Sequence, residues 1–469
     1  MDTTFENTNA TTVVPVVQTM PADLLTPLAV YLKLSAKSKN SFLLESVEGG
    51  KSLARYSFIG ADPETIVRGS DVRVDVDDKN GRHTESTGLI PYVRDHFAVR
   101  NAVADADLPA FIGGAIGYLG FDCCEWFEPS LKIGNESDDA ALMFFRSIVA
   151  FDHAKQVIKI ISLVFINEGD EESPLESLFA VANERNHDIQ KVLETGVATV
   201  PKTERVAAPV SVISNWERSD FEDAVSTIKE LINAGECYQA VLSQCFTRPT
   251  NATPVSIYRA LRSLNPSPYM FLLQFEDKAI VGASPEMLVR CEDRRLEYRP
   301  IAGTRARGKT GVEDDALAEE MRHDKKEVAE HQMLVDLGRN DLGRVAEYGS
   351  VKVETLMSVE KYSHVQHLVS SLSATLRDGL DRFDALAACF PAGTVSGAPK
   401  VRAIEIIRDL EPTPRGVYAG AVGYFDYAGN MDTCIAIRTL VLENGVAKIQ
   451  AGAGIVADSV PELEFQETV

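Results

Sequence analysis

Apolar and polar residues alternate with period two along much of this chain, and only a few windows lengthen toward the helical period. SFLLES (41–46), the Gly49-Gly50 pair and SLARYSFIG (52–60) predict a hairpin. DVRVDVD (71–77) alternates strictly and predicts an edge strand with one wet face. Residues 141–165 predict another hairpin that turns near Asp152–Lys155. The last third reads as a meander of GVYAGAVGYFDY, a turn at AGN, MDTCIAIRTLVL, a turn at Asn444-Gly445, and VAKIQAGAGIVADS. Asn-Gly is a strong signal for a two-residue hairpin turn.

Helical periodicity is expected over about 172–192 and again after SDFE (219–222), where Ser219 and Glu222 predict a capping box. Phe221, Val225, Ile228 and Ile232 carry that helix, and Gly235 closes it. A further helix is expected over roughly 313–337, and a last one behind a capping box of Ser459 and Glu462. Residues 1 to about 15 read as disordered, and TGVATVPKTERVAAPV (195–210) reads as a linker. With a boundary near 205, the chain divides into an N-terminal region, 16–205, and a C-terminal region, 206–469. Antiparallel hairpins with helices inserted between them indicate an α+β fold, not a doubly wound sheet.

Charge narrows the partners. The 469 residues carry a net charge of −22, which argues against nucleic acid or an anionic membrane as partner. No apolar run approaches the roughly 18 residues of a membrane span, and the polar, acidic start does not resemble a signal peptide. Seven scattered cysteines form no CxxC pair, which fits a reduced cytoplasm better than a zinc site or a disulfide framework.

Against that acidic background GTRARGKT (303–310) stands out. It satisfies the phosphate-loop pattern G-x-x-x-x-G-K-[ST], but the charged CEDRRLEYRP before it is a poor buried strand. Arg305, Arg307 and Lys309 suggest an anion held against backbone amides, and a solvated basic turn is the alternative. Carboxylates pair as well. Glu327, Glu330, His331 and Leu334 share one helical stripe, and Glu464 and Glu467 repeat the spacing of three at the C-terminus. Two such pairs could clamp Mg²⁺, which takes oxygen ligands and keeps water or substrate in its shell. Two solvated acidic helix faces are the other reading.

Seven segments in order change these odds. SPE (284–286), PIAGTRARG (300–308), KEVAEHQMLVDLGRNDLGR (326–344), VEKYSHVQHLVS (359–370), FPAGTVSGAPKVRA (390–403), YAGAVGYFDYAGNMDTCIAIRT (418–439) and AGAGIVADSVPELEFQET (451–468) resemble the chorismate-utilising enzymes. LLES (43–46) and the strands after it resemble the N-terminal half of that family's anthranilate synthase large subunits. The resemblance implies large antiparallel sheets packed face to face with helices outside, and Mg²⁺-dependent chemistry on chorismate. Glu330 and Glu467 would ligate the metal, supported by Glu327 and Glu464. Gly393 and Thr394 would bind the ring carboxylate. Tyr418 and Arg438 would hold the pyruvyl carboxylate under the amides of Gly452 and Gly454. Glu286 would be the general acid and His364 the proton-transfer residue.

Two positions point to a branch. Ala302 stands where aminodeoxychorismate synthases carry an attacking Lys, and Gln239 where isochorismate and salicylate synthases carry a basic one. Ammonia needs little activation, so amination at C2 followed by pyruvate loss, giving anthranilate, is implied. An aminodeoxychorismate synthase component is the runner-up. A tryptophan-binding subunit without chemistry and a nucleotide-binding loop are further competitors.

Ser46, Lys51, Pro268, Tyr269 and Met270 resemble the family's tryptophan feedback pocket. None of the cysteines sits in a nucleophile turn, so ammonia is expected from a separate glutamine amidotransferase subunit in a hetero-oligomer. The family's last helix runs on into an Asn-Lys-Ala stretch whose Lys contacts substrate. This chain ends at Val469, so a shortened helix is expected.

Overall fold

A computed structural model describes residues 11–46, 55–103, 105, 107–131, 140–167, 172–201, 211–362 and 365–469. Two large sheets dominate, one of thirteen strands and one of twelve among the described residues. All strand pairs are antiparallel except Thr11–Pro21 with Arg100–Ala102.

Most strands of the first sheet are buried on both faces, so period two sorts their side chains between two cores. Phe42, Phe271, Leu273, Ile148 and Ala150 point to the layer between the sheets, where they meet the face of the second sheet that carries Ile66, Ile116, Met143, Val422 and Tyr424. Their neighbours Leu43, Met270, Leu272, Val149 and Phe151 face the other way. That outer face is covered by the helices Pro27–Leu34, Glu172–Thr195 and Pro254–Leu264. A third core forms where the helices Arg218–Asn233 and Lys400–Leu410 cover the strands Gln239–Pro249 and Val446–Ile455.

The expected α+β fold of antiparallel sheets with outer helices is observed. Strands from before and after residue 205 pair in both sheets. Ser41–Glu45 lies between Tyr56–Ala61 and Tyr269–Gln274, and Gly114–Leu119 lies between Ala140–Phe145 and Ala421–Asp426. No helix among the described residues is long and apolar enough to cross a membrane.

Several local expectations are corrected. Residues 11–15, read as disordered, open the strand Thr11–Pro21, which pairs along its whole length with Val157–Asn167. Arg100–Ala102 pairs only with Thr11–Val13, so Pro15 sits where the other side of the strand has no strand partner among the described residues and its missing N–H is tolerated. DVRVDVD is not the edge, because Gly81–Glu85 pairs outside it. The 141–165 hairpin is divided: Ala140–Phe145 belongs to the second sheet and Ser147–Asp152 to the first, the chain crossing at Arg146. MDTCIAIRTLVL is likewise two strands, Met431–Ile435 and Thr439–Glu443, in different sheets.

Neither capping box forms. The helix after SDFE starts at Arg218 behind Glu217, and Arg218 reaches Glu222 at 2.6 Å. The last helix starts at Pro461, and the Ser459 hydroxyl accepts from the Val456 N–H instead. The 313–337 window holds two helices, Gly311–His323 and Lys325–Gly343, because Asp324 leaves the helical conformation and caps the second through the N–H groups of Lys326 and Glu327. Gly235 at φ +84° and the turn at Asn444 (+51°) and Gly445 (+74°) are as expected.

Candidate active site

The basic stretch does not build an anion site. Ile301–Ala306 is a strand paired with Val365–Thr375, and Thr310 caps the following helix. Arg305 is held by Glu327 (2.8 Å), Asp324 (2.9 Å) and Glu320 (3.5 Å), and Arg307 forks onto Asp314 (2.9 Å). These arginines answer carboxylates of their own chain, so the phosphate-loop and anion-nest expectations both fail there.

The chemistry gathers in a cleft of about 530 Å³, a size suited to a small ligand. Glu286, Glu330, Thr394, Tyr418, Arg438, Gly452, Gly454 and Glu467 all line it, as do Gln239 and Ala302. Several of its polar groups hang on turns and element ends, while Glu330 lies within the helix Lys325–Gly343. Glu286 lies between the strands Lys278–Ser284 and Met287–Glu292. Gly393 and Thr394 form a single helical turn, and Gly393 packs so closely that a Cβ would meet Leu337 at 2.7 Å. Arg438 sits where the chain crosses between sheets, at φ +50°, a conformation that costs energy for a residue with a Cβ. No carboxylate of the described residues pairs with its guanidinium.

The two glycines of the Val446–Ile455 strand are needed for space. A Cβ at Gly452 would come within 2.8 Å of the Tyr418 hydroxyl, and one at Gly454 within 2.4 Å of the Gln239 side-chain amide. Gln239 is buried and its Oε1 has no hydrogen-bond partner among the described residues, leaving an acceptor beside the cleft.

Electrostatics separate the carboxyls. Glu286 is 5% exposed, and burial pushes its pKa up to about 8, against smaller opposing effects of Thr394 and the Ile301 backbone. It is therefore mostly protonated at neutral pH. The Thr394 hydroxyl lies beside it without completing a hydrogen bond of normal geometry. Burial raises Tyr418 to about 12, so its hydroxyl stays a donor. Glu330 is raised by burial and then by Glu327, Glu467 and Glu464, and Glu467 by burial and then by Glu464. Such mutual repulsion across two helices fits a divalent cation. No three His, Cys, Asp or Glu among the described residues converge to enclose an ion, so any ion there would keep positions open to water or substrate. Glu327 and Glu464 do not line the cleft, and Glu327 is engaged by Arg305.

His364 and Lys51 lie outside the described residues. His331, on the acidic stripe, is buried with Nε2 2.6 Å from the Ser370 hydroxyl. The cleft also takes Leu334 of the acidic stripe, and Gln450, Phe246 and Ile437, which sequence reading passed over. A signal for Gln450 was present, since period two puts it on one face with Gly452 and Gly454.

Ser46, Pro268, Tyr269 and Met270 come together around a different cavity, with Arg290, Asp432 and Tyr424. Ser46 Oγ is buried there without a partner among the described residues, and the Tyr269 hydroxyl donates to Asp432 at 3.1 Å. Only the turn of Pro285 and Glu286 separates the strand Lys278–Ser284, which pairs with Tyr269–Gln274, from Met287.

Comparison with known proteins agrees with this geometry. The chorismate binding enzyme family matches residues 39–469. Anthranilate synthase component 1 of Acetivibrio thermocellus is 43% identical over 97% of this chain and 93% of its own length. That of Pseudomonas putida is 46% identical, over 96% and 91%. The structure of anthranilate synthase component I from Streptococcus pneumoniae is similar with a TM-score of 0.76 at 34% identity, covering 96% of this chain and 97% of that one. The menaquinone-specific isochorismate synthase of Escherichia coli, at 20% identity and TM-score 0.71, shares the fold. The chain belongs to the chorismate-binding enzyme family.

Proposed function

We propose that this chain is the chorismate-aminating component of an anthranilate synthase. Ammonia adds at C2 of chorismate, the C4 hydroxyl leaves, and pyruvate loss aromatises the ring to anthranilate. The observation that carries the reading is one cleft collecting Glu286, Thr394, Tyr418, Arg438, Gly452 and Gly454 while presenting Ala302 and Gln239 in place of amines. The component 1 name of relatives at 43% and 46% identity supports it.

Chorismate is a dianion, and the cleft offers two receptors for carboxylates. The Arg438 guanidinium and the Tyr418 hydroxyl take the pyruvyl carboxylate, covered by the amides of Gly452 and Gly454. The backbone of Gly393 and Thr394 takes the ring carboxylate. Glu286, protonated at neutral pH, gives its proton to the departing hydroxyl. Ala302 brings no amine, and Gln239 is a poor base that leaves ammonia to act through its own lone pair. His364 moves the proton in the elimination.

Glu330 and Glu467 would hold Mg²⁺, with Glu327 and Glu464 behind them. When bound, the metal would neutralise the ring carboxylate and ease loss of the hydroxyl. Tryptophan is the effector read for the Ser46 and Tyr269 cavity, placing regulation in the region 16–205 and in the strand Tyr269–Gln274. A separate glutamine amidotransferase in a hetero-oligomer supplies ammonia in the cytoplasm. Burial supports that division, since six of the seven cysteines are buried and the thiols of Cys124 and Cys291 are pushed up to about 12 and about 11.

The test uses the chain with chorismate, Mg²⁺ and ammonium. Anthranilate fluorescence and equimolar pyruvate are expected, rising with ammonium and falling with tryptophan. An aminated product without pyruvate would reject the elimination step.

A further inference from the structure

Behind the cleft, and not lining it, lies a buried ion pair. Arg415 and Glu411 have side chains 2% and 4% exposed and meet at 2.6 Å. The guanidinium binds the carboxylate through both Nε (2.9 Å) and Nη2 (2.6 Å). Two further N–H groups reach backbone carbonyls, Nη1 to Val395 and Nη2 to Val241, each at 2.7 Å. Val395 follows Thr394, and Val241 is opposite Gly454 in the sheet. The same guanidinium lies 5.6 Å from the centre of the Tyr418 ring.

Glu411 extends the reach. Its Oε1 accepts from the N–H (2.9 Å) and the hydroxyl (2.7 Å) of Ser243. The Ser243 hydroxyl in turn accepts from the Gln450 side-chain amide at 2.8 Å, and Ser243 is opposite Gly452 in the sheet. Val241, Val395, Tyr418 and Gln450 all line the cleft. One ion pair thus links the Thr394 turn and Tyr418 to the paired strands Gln239–Pro249 and Val446–Ile455.

A buried ion pair is a weak source of stability, because desolvating two charges offsets most of their attraction. Its geometric content is larger. An arginine fork fixes direction as well as distance, which a lysine at the same place cannot do. We infer that Arg415 and Glu411 are a positioning pair that sets the carboxylate-binding wall of the cleft, holding the Thr394 turn, Tyr418 and the Gly452–Gly454 strand at one spacing. The inference rests on the cleft being the chorismate site.

The experiment compares wild-type chain with E411Q/R415M and with Ser243→Ala, measuring Tm, kcat and KM for chorismate with ammonium. The double variant removes both charges and leaves no lone buried ion, so it is expected to melt near wild type. Its kcat/KM is expected to fall about thirtyfold, since small misplacement of binding groups is costly in rate. Ser243→Ala leaves the ion pair intact and cuts only its link to Gln450; it should keep the wild-type Tm and lose about tenfold in kcat/KM. Wild-type kcat and KM in whichever variant folds would overturn the inference. A wild-type chain that does not turn over chorismate would instead overturn the functional reading on which it rests.

Discussion

Glu286 shows how one residue can couple chemistry to stability. Its folded-state pKa of about 8 stands above the ordinary 4.5, so between those values the folded chain keeps a proton that the unfolded chain has lost. Its contribution to stability therefore falls as pH rises through that window. In the proposed mechanism its proton is lost over the same upper limb, so kcat/KM is predicted to decline above about pH 8. Glu286→Gln is expected to abolish turnover and to flatten the dependence of urea-unfolding stability on pH between 6 and 9. An unchanged slope would assign the titration to another group.

The sequence announced Glu286, Thr394, Arg438 and the paired glycines because each lies in a short motif. It did not announce the positioning pair, because Arg415 and Glu411 act on Val241 and Ser243, far away along the chain. GTRARGK misled for a related reason: the carboxylates that engage Arg305 come from the two following helices.

At the scale of the element, apolar period was a better guide than capping chemistry. The helix Arg218–Asn233 and the hairpin at Asn444-Gly445 were readable because their signals are local. The capping boxes failed because one helix begins two residues before, and the other one residue after, the start that the capping residue would set, which periodicity does not resolve. Asp324 is the converse, a charged residue inside an expected helix that instead divides it. Asp324→Ala should cost about 1 kcal/mol through loss of the cap. Denaturant unfolding would measure this, and a neutral result would mean that packing alone fixes the break.

Over the whole molecule, the antiparallel character was legible but the division into two sheets was not. Arg146 and the Ala436–Arg438 stretch carry the chain across, and nothing in their composition marks a crossing. The second cavity depends on that wider arrangement, since Ser46, Tyr269 and Asp432 come from three distant segments. If tryptophan occupies it, Ser46→Phe should relieve inhibition while uninhibited turnover stays near wild type. Calorimetry should show tryptophan binding lost in parallel, and retained inhibition would place the effector elsewhere.

The interleaving of early and late strands also bears on how the chain emerges during synthesis. Gly114–Leu119 and Ser41–Glu45 each obtain one neighbour from nearby sequence, but their other neighbours, Ala421–Asp426 and Tyr269–Gln274, are made roughly 200 to 300 residues later. Until then the nascent polypeptide displays two unpaired apolar strand edges, the kind of surface on which aggregation starts. The late strands that finish shielding the first half of the protein are thus also strands that line the second cavity.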